Sequence, residues 1–155
     1  NEDDGKPTFY KVGCAGKIIK FEETDDKRYL ITIRGLCRFN LISEKINNEN
    51  FREGNVDWED FYKDMNINVK STDLSTLKTT LKNYFKLKNI RVNMDAIDTF
   101  NAYNFVDQIT MICPLANNEK QLLLETTSIL KRKKLLQTIL DSYISEENIS
   151  DVSKH

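Results

Sequence analysis

Hydrophobic positions along the 155-residue chain change their period near its middle. Ile18, Ile19 and Phe21 form a short apolar run, followed by the polar stretch Glu22-Glu23-Thr24-Asp25-Asp26-Lys27. In residues 28–34, Tyr29, Ile31 and Ile33 fall on one side and Leu30, Thr32 and Arg34 on the other. Period-2 alternation rich in β-branched residues and bounded by turn residues predicts strands. Gly35 interrupts the alternation as a bulge or bend would. Residues 36–42 continue the strand, and Val56-Asp57-Trp58 can add a further short one. The first half therefore predicts an antiparallel, hairpin-built lobe.

From about Ser71 the spacing becomes helical. Leu74, Leu77, Leu81, Tyr84 and Phe85 share a stripe that Thr72 or Asp73 can cap. Asn93 can cap a short helix carrying Met94, Ile97 and Phe100. A third runs through Phe105, Val106, Ile109 and Ile112 and stops before Pro114. Asn117 or Asn118 opens a brief fourth, and Thr127 or Ser128 opens a last one carrying Leu130, Leu135, Leu136, Ile139, Leu140 and Tyr143. The reading is α+β: a β-rich lobe at 1–70, a helical bundle at 71–145 and a polar, fraying tail at 146–155. No Gly/Ser/Pro-rich linker marks the change at residue 70, so the two lobes are expected to pack together.

Composition narrows the function classes. Hydrophobic residues make up 39% and charged residues 30%, enough apolar mass for a core. Lys plus Arg number 23 against 24 Asp plus Glu, a net charge of −1, which disfavours a protein built to neutralise phosphates. The 17 Lys, 16 Asn and 15 Ile against 4 Ala follow an A/T-rich codon bias, so lysine clusters carry less functional weight. Lys131-Arg132-Lys133-Lys134 spreads around a helix and reads as a solvated surface. Three scattered cysteines (Cys14, Cys37, Cys113) make neither a disulfide framework nor a metal ribbon and read as small buried thiols of a reducing cytoplasm. No apolar run approaches the ~18 residues of a membrane helix, and no leader opens the sequence.

Catalytic constellations are missing from these residues. There is no G-x-x-x-x-G-K-[ST], G-x-G-x-x-G or G-x-S-x-G, and the single histidine is the terminal His155. Acidic pairs such as Glu22-Glu23, Asp25-Asp26 and Glu59-Asp60 lie in turn-like stretches, where a solvated turn is the default reading. No cofactor and no metal is called for. The candidate binding residues are aromatic: Trp58, Phe61 and Tyr62 in one cluster and Phe9 and Tyr10 in another. Core packing competes for each of them. Tyr10, Trp58, Phe61 and Tyr62, if exposed near the lobe junction, would suit peptide capture.

Val12-Gly13-Cys14-Ala15-Gly16-Lys17-Ile18, with residues 21–39 after it, resembles the Lon protease N-terminal (substrate-binding) domain family. The likeness lies in a "V-G-C-A-G-x-I … F-E-E-T-D-D-G-R-Y-L-I-T-L-x-G-x-C-R-F" block of the stand-alone members, which lack ATPase and protease modules. Asp57-Trp58, Phe61 and Asp64 match a following "D-W-x-x-F-x-x-D", and Glu119-Lys120-Gln121 with Leu122-Leu123-Leu124-Glu125 an "E-K-Q-x-L-L-E" helix. The resemblance spans residues 10–140. Lys27 departs from it, standing where the family has a turn glycine.

The resemblance implies a PUA-like β lobe joined to a helical bundle, and a domain that holds unfolded or extended polypeptide for a protease or chaperone partner. Family members open with further strands ahead of this block, so three outcomes are expected: an open sheet with a gap, an edge covered by a neighbouring copy, or an upstream segment hidden by the numbering. The favoured function is a non-catalytic polypeptide-binding module. The alternatives are a PUA-like RNA-binding module and an N-terminal fragment of a full-length ATP-dependent Lon protease. Nucleic acid is disfavoured by the charge balance, and no membrane role is indicated. The purified chain is expected to release no phosphate from ATP and to leave unfolded casein intact on a gel. Turnover that vanishes when one of the chain's own residues is replaced would overturn that reading.

Overall fold

The computed structural model describes residues 8–65, 73–100 and 104–152. Thr72 and His155 lie outside the described residues. The class is α+β, and the chain forms two compact units, Asn1–Ile67 and Asn68–His155.

The first unit holds β1 (Val12–Glu23), β2 (Tyr29–Ile46), β3 (Arg52–Asp57) and a 3-10 helix at Glu59–Asp64. The strands form an open antiparallel sheet of order β1-β2-β3, so both β1 and β3 are edge strands among the described residues. An open sheet among the described residues agrees with what the resemblance implies. The third strand is longer than its apolar content suggested, and Trp58 lies outside it. The extra pairing comes from a tight turn: the Asn47 side-chain oxygen accepts from Glu49 N (2.9 Å) and Phe51 N (3.2 Å). Asn50 takes φ 64° in the same turn, a conformation asparagine tolerates. Glu44–Arg52 and Lys45–Glu53 ion pairs then join the two strands, so a polar strand pairs without needing an apolar face.

Three bulges interrupt the ladders, at Ile19 of β1 and at Leu36 and Ile42 of β2, each an unpaired residue between consecutive register pairs. The expected irregularity at Gly35 falls one residue on, at Leu36. Gly13 and Gly16 permit close approach. A Cβ on Gly13 would lie 2.5 Å from Cζ of Phe39, and one on Gly16 would lie 2.3 Å from Cγ2 of Ile33. The spacing of Val12-Gly13-Cys14-Ala15-Gly16 thus reflects side chains that cross over the backbone.

The second unit contains α1 (Ser75–Leu87), α2 (Met94–Asp98), α3 (Phe105–Ile112), α4 (Asn117–Glu125) and α5 (Ile129–Val152). The caps follow local chemistry. At α1 the N-cap is Leu74, which makes no side-chain cap, and Asp73 before it accepts from Ser75 N; Asn93 caps α2 by accepting from Asp95 N and Ala96 N, and Ser128 accepts from Lys131 N. Glu119 caps α4 by reaching back to the amide of Ala116 (2.8 Å). The core gathers Leu77, Leu81, Tyr84, Phe85, Ile97, Phe105, Ile109, Cys113, Leu123, Leu136 and Leu140, all buried. Helix α5 runs past Ser145 to Val152, with Glu147 held by Lys88 at 3.1 Å. The basic run divides: Lys131 and Lys134 are exposed, whereas Arg132 is buried and paired with Asp107. Among the described residues, no helix is long and apolar enough to cross a membrane.

Burial pushes the Cys113 thiol up from its ordinary 9.0 to about 12, and the Tyr84 hydroxyl up from 10.0 to about 12. Both stay neutral in the folded chain while the unfolded chain ionises earlier. Their contribution is therefore complete below about pH 9 and is lost as pH rises toward 12. The urea midpoint of the wild-type chain is expected to fall between about pH 8 and about pH 11, and to fall less for Cys113→Ala. Equal slopes would refute the assignment to Cys113.

The β1–β2 turn supports a second expectation. Lys27 takes φ 61°, with its amide bonded to the Thr24 carbonyl at 2.8 Å, so the turn is kept although glycine is absent. The left-handed conformation is unfavourable for a residue with a Cβ. Lys27→Gly is expected to stabilise the chain by roughly 0.5 kcal/mol, glycine's greater freedom in the unfolded chain offsetting part of the gain. Urea denaturation checks this, and a lower midpoint would contradict it.

Candidate functional site

Phe61 is the aromatic that local sequence placed least well. It is 2% exposed, in the 3-10 helix, with the Arg38 guanidinium 4.5 Å above its ring. Arg38 is itself 5% exposed. Its Nε donates to Asp64 Oδ2 (2.7 Å) and its Nη2 to Asp64 Oδ1 (2.8 Å), a two-pronged pair that ties β2 to the far end of the 3-10 helix. The Cys37 thiol donates to the Phe61 carbonyl at 3.4 Å, and Asn40 donates to Asp60 at 2.8 Å. Phe39 meets Trp58 edge-on at 5.6 Å. Residues 37–39 and the Asp57-Trp58…Phe61…Asp64 series, which the sequence presents as two separate motifs, interlock as one knot.

That knot corrects the reading of Phe61 as a contact residue: a ring closed under a paired guanidinium is packing, not surface. Trp58 is half-buried. Tyr62 and Tyr10 are exposed. Phe61 and Tyr62 share the 3-10 helix, and the Phe61 amide bonds to the Trp58 carbonyl at 2.9 Å. Phe9 is exposed, with Arg52 3.6 Å over its ring. Cys37 and Cys113 are buried thiols as expected, but Cys14, on β1, is exposed.

The broadest apolar surface lies elsewhere, on the β1–β2 hairpin. Ile18 pairs with Ile33 and Phe21 with Ile31, and Phe21 stacks on Tyr29 at 4.9 Å. These five side chains share one face and are 43–63% exposed, more than scattered surface hydrophobics require. Residues three apart in a regular strand point to opposite faces. The bulge at Ile19 turns Ile18 and Phe21 to the same side. The other face of the hairpin carries Lys17 opposite Arg34, Lys20 opposite Thr32, and Glu22 opposite Leu30. Alternation marked Tyr29, Ile31 and Ile33 as one face, but not that Ile18 and Phe21 join it. The signal was the odd spacing of the apolar run, which a period-2 strand cannot accommodate without an inserted residue.

Nothing in this surface resembles a reaction centre. Among the described residues, no group of three His, Cys, Asp or Glu side chains is placed to hold a metal ion. The fold is an antiparallel sheet unit followed by a helical unit. The model of the ATP-dependent protease La (LON) substrate-binding domain matches residues 1–142, and the chain belongs to that family.

Several solved structures share the fold, two of them as follows. One is a Lon N-terminal domain protein from Xanthomonas campestris, at 18% identity and TM-score 0.54, covering 89% of this chain and 70% of that one. The other is the N-terminal domain of Mycobacterium avium complex Lon protease, at 16% identity and TM-score 0.60, covering 88% and 73%. No curated protein matches the sequence.

Removing one partner of the Arg38–Asp64 pair strands a largely desolvated charge. Asp64→Ala is expected to lower the stability of the first unit by about 3 kcal/mol, and Phe61→Ala by a similar amount. The double variant should lose less than the sum, because both remove the seat of the same guanidinium. Tyr62→Ala should change stability by no more than about 0.5 kcal/mol. Urea unfolding followed at Trp58 reads all four, and a Phe61→Ala variant as stable as wild type would refute the buried placement.

Proposed function

We propose that this chain is a non-catalytic polypeptide-binding module, and that the apolar face of the β1–β2 hairpin is its contact surface. The observation that carries the proposal is the row of Ile18, Phe21, Tyr29, Ile31 and Ile33, exposed together on one side of a paired ribbon. Family membership supports the reading, since the matching model describes a substrate-binding domain of an ATP-dependent protease. An extended segment with alternate apolar side chains fits such a face, and it can add backbone hydrogen bonds along an edge strand. Tyr10 and Tyr62 are exposed and serve as secondary contacts. Trp58, packed edge-on against Phe39, serves the fold first. Binding of this kind delivers unfolded polypeptide to a protease or chaperone. We place it in the cytoplasm, where the buried thiols of Cys37 and Cys113 stay reduced.

Titration of fluorescently labelled, unfolded casein by anisotropy tests the proposal. Micromolar or weaker binding is expected, changing little between about 50 and about 300 mM salt, because apolar contact is only weakly screened. Ile33 is 63% exposed, so Ile33→Lys should leave the melting temperature nearly unchanged while weakening binding by about tenfold. Casein binding that is indifferent to Ile33→Lys would remove the hairpin face from the site. Absence of casein binding, with single-stranded RNA bound instead and released steeply by salt, would overturn the polypeptide reading.

A further inference from the structure

We draw no further inference here: the strongest candidate, the apolar face of the β1–β2 hairpin as a contact between two copies of the chain, is the surface already described, and nothing in the structure shows that a second copy covers it.

Discussion

The β unit depends on one desolvated ion pair. A guanidinium that is 5% exposed must recover in hydrogen bonds and Coulomb attraction what it loses in hydration, and Arg38 does so through both prongs of Asp64 and the face of Phe61. The consequence is positional. Asp64 ends the 3-10 helix, Phe61 lies one turn earlier and Trp58 precedes it, so anchoring the carboxylate sets the whole segment against β2. Few buried side chains help: Cys37 and Phe61 are the buried hydrophobics of this unit among the described residues. A sheet with so small a kernel relies on directional bonds where a larger one would rely on volume.

The same scarcity of cover explains the exposed ribbon. β1 and β2 pair through register shifts at Ile19 and Leu36, and the shift at Ile19 aligns two apolar sets that regular pleating would have separated. Cross-strand pairs order the face, and Gly16 leaves room for Ile33 to lie over the neighbouring backbone. The polypeptide proposed to lie on it would meet branched and aromatic side chains that strand pairing has already brought to one side.

The helical unit is built on the opposite principle. Its core is a continuous apolar cluster spanning five helices, and its polar groups are mostly drawn to the margin. Arg132 is buried against Asp107 and the Thr126 carbonyl, where it joins α5 to α3 and to the end of α4. Tyr143 donates to Glu119, the residue that also caps α4, so one carboxylate fixes both a helix start and a neighbouring helix. These contacts make α5 the element on which the others converge. It extends to Val152 with its acidic end tied to Lys88.

The chain's local chemistry, readable from sequence, determined the element types, the helix starts at Asn93 and Ser128, the turn at residues 24–28, and the two motif blocks that mark the family. Each depends on neighbours within a few residues: a side-chain oxygen near a free amide, or a side-chain period of 2 or 3.6. Tertiary structure alone decided which side chains are covered. Phe61, Tyr62 and Trp58 are alike as letters and adjacent in sequence, yet one is buried, one exposed and one between, because only Phe61 lies under Arg38. Arg132 sits in a run of cations and is buried because Asp107, 25 residues away, meets it. Ile18 and Phe21 share a face because β2 pairs around the residue inserted between them. Burial and facing depend on distant partners, which a local pattern does not contain.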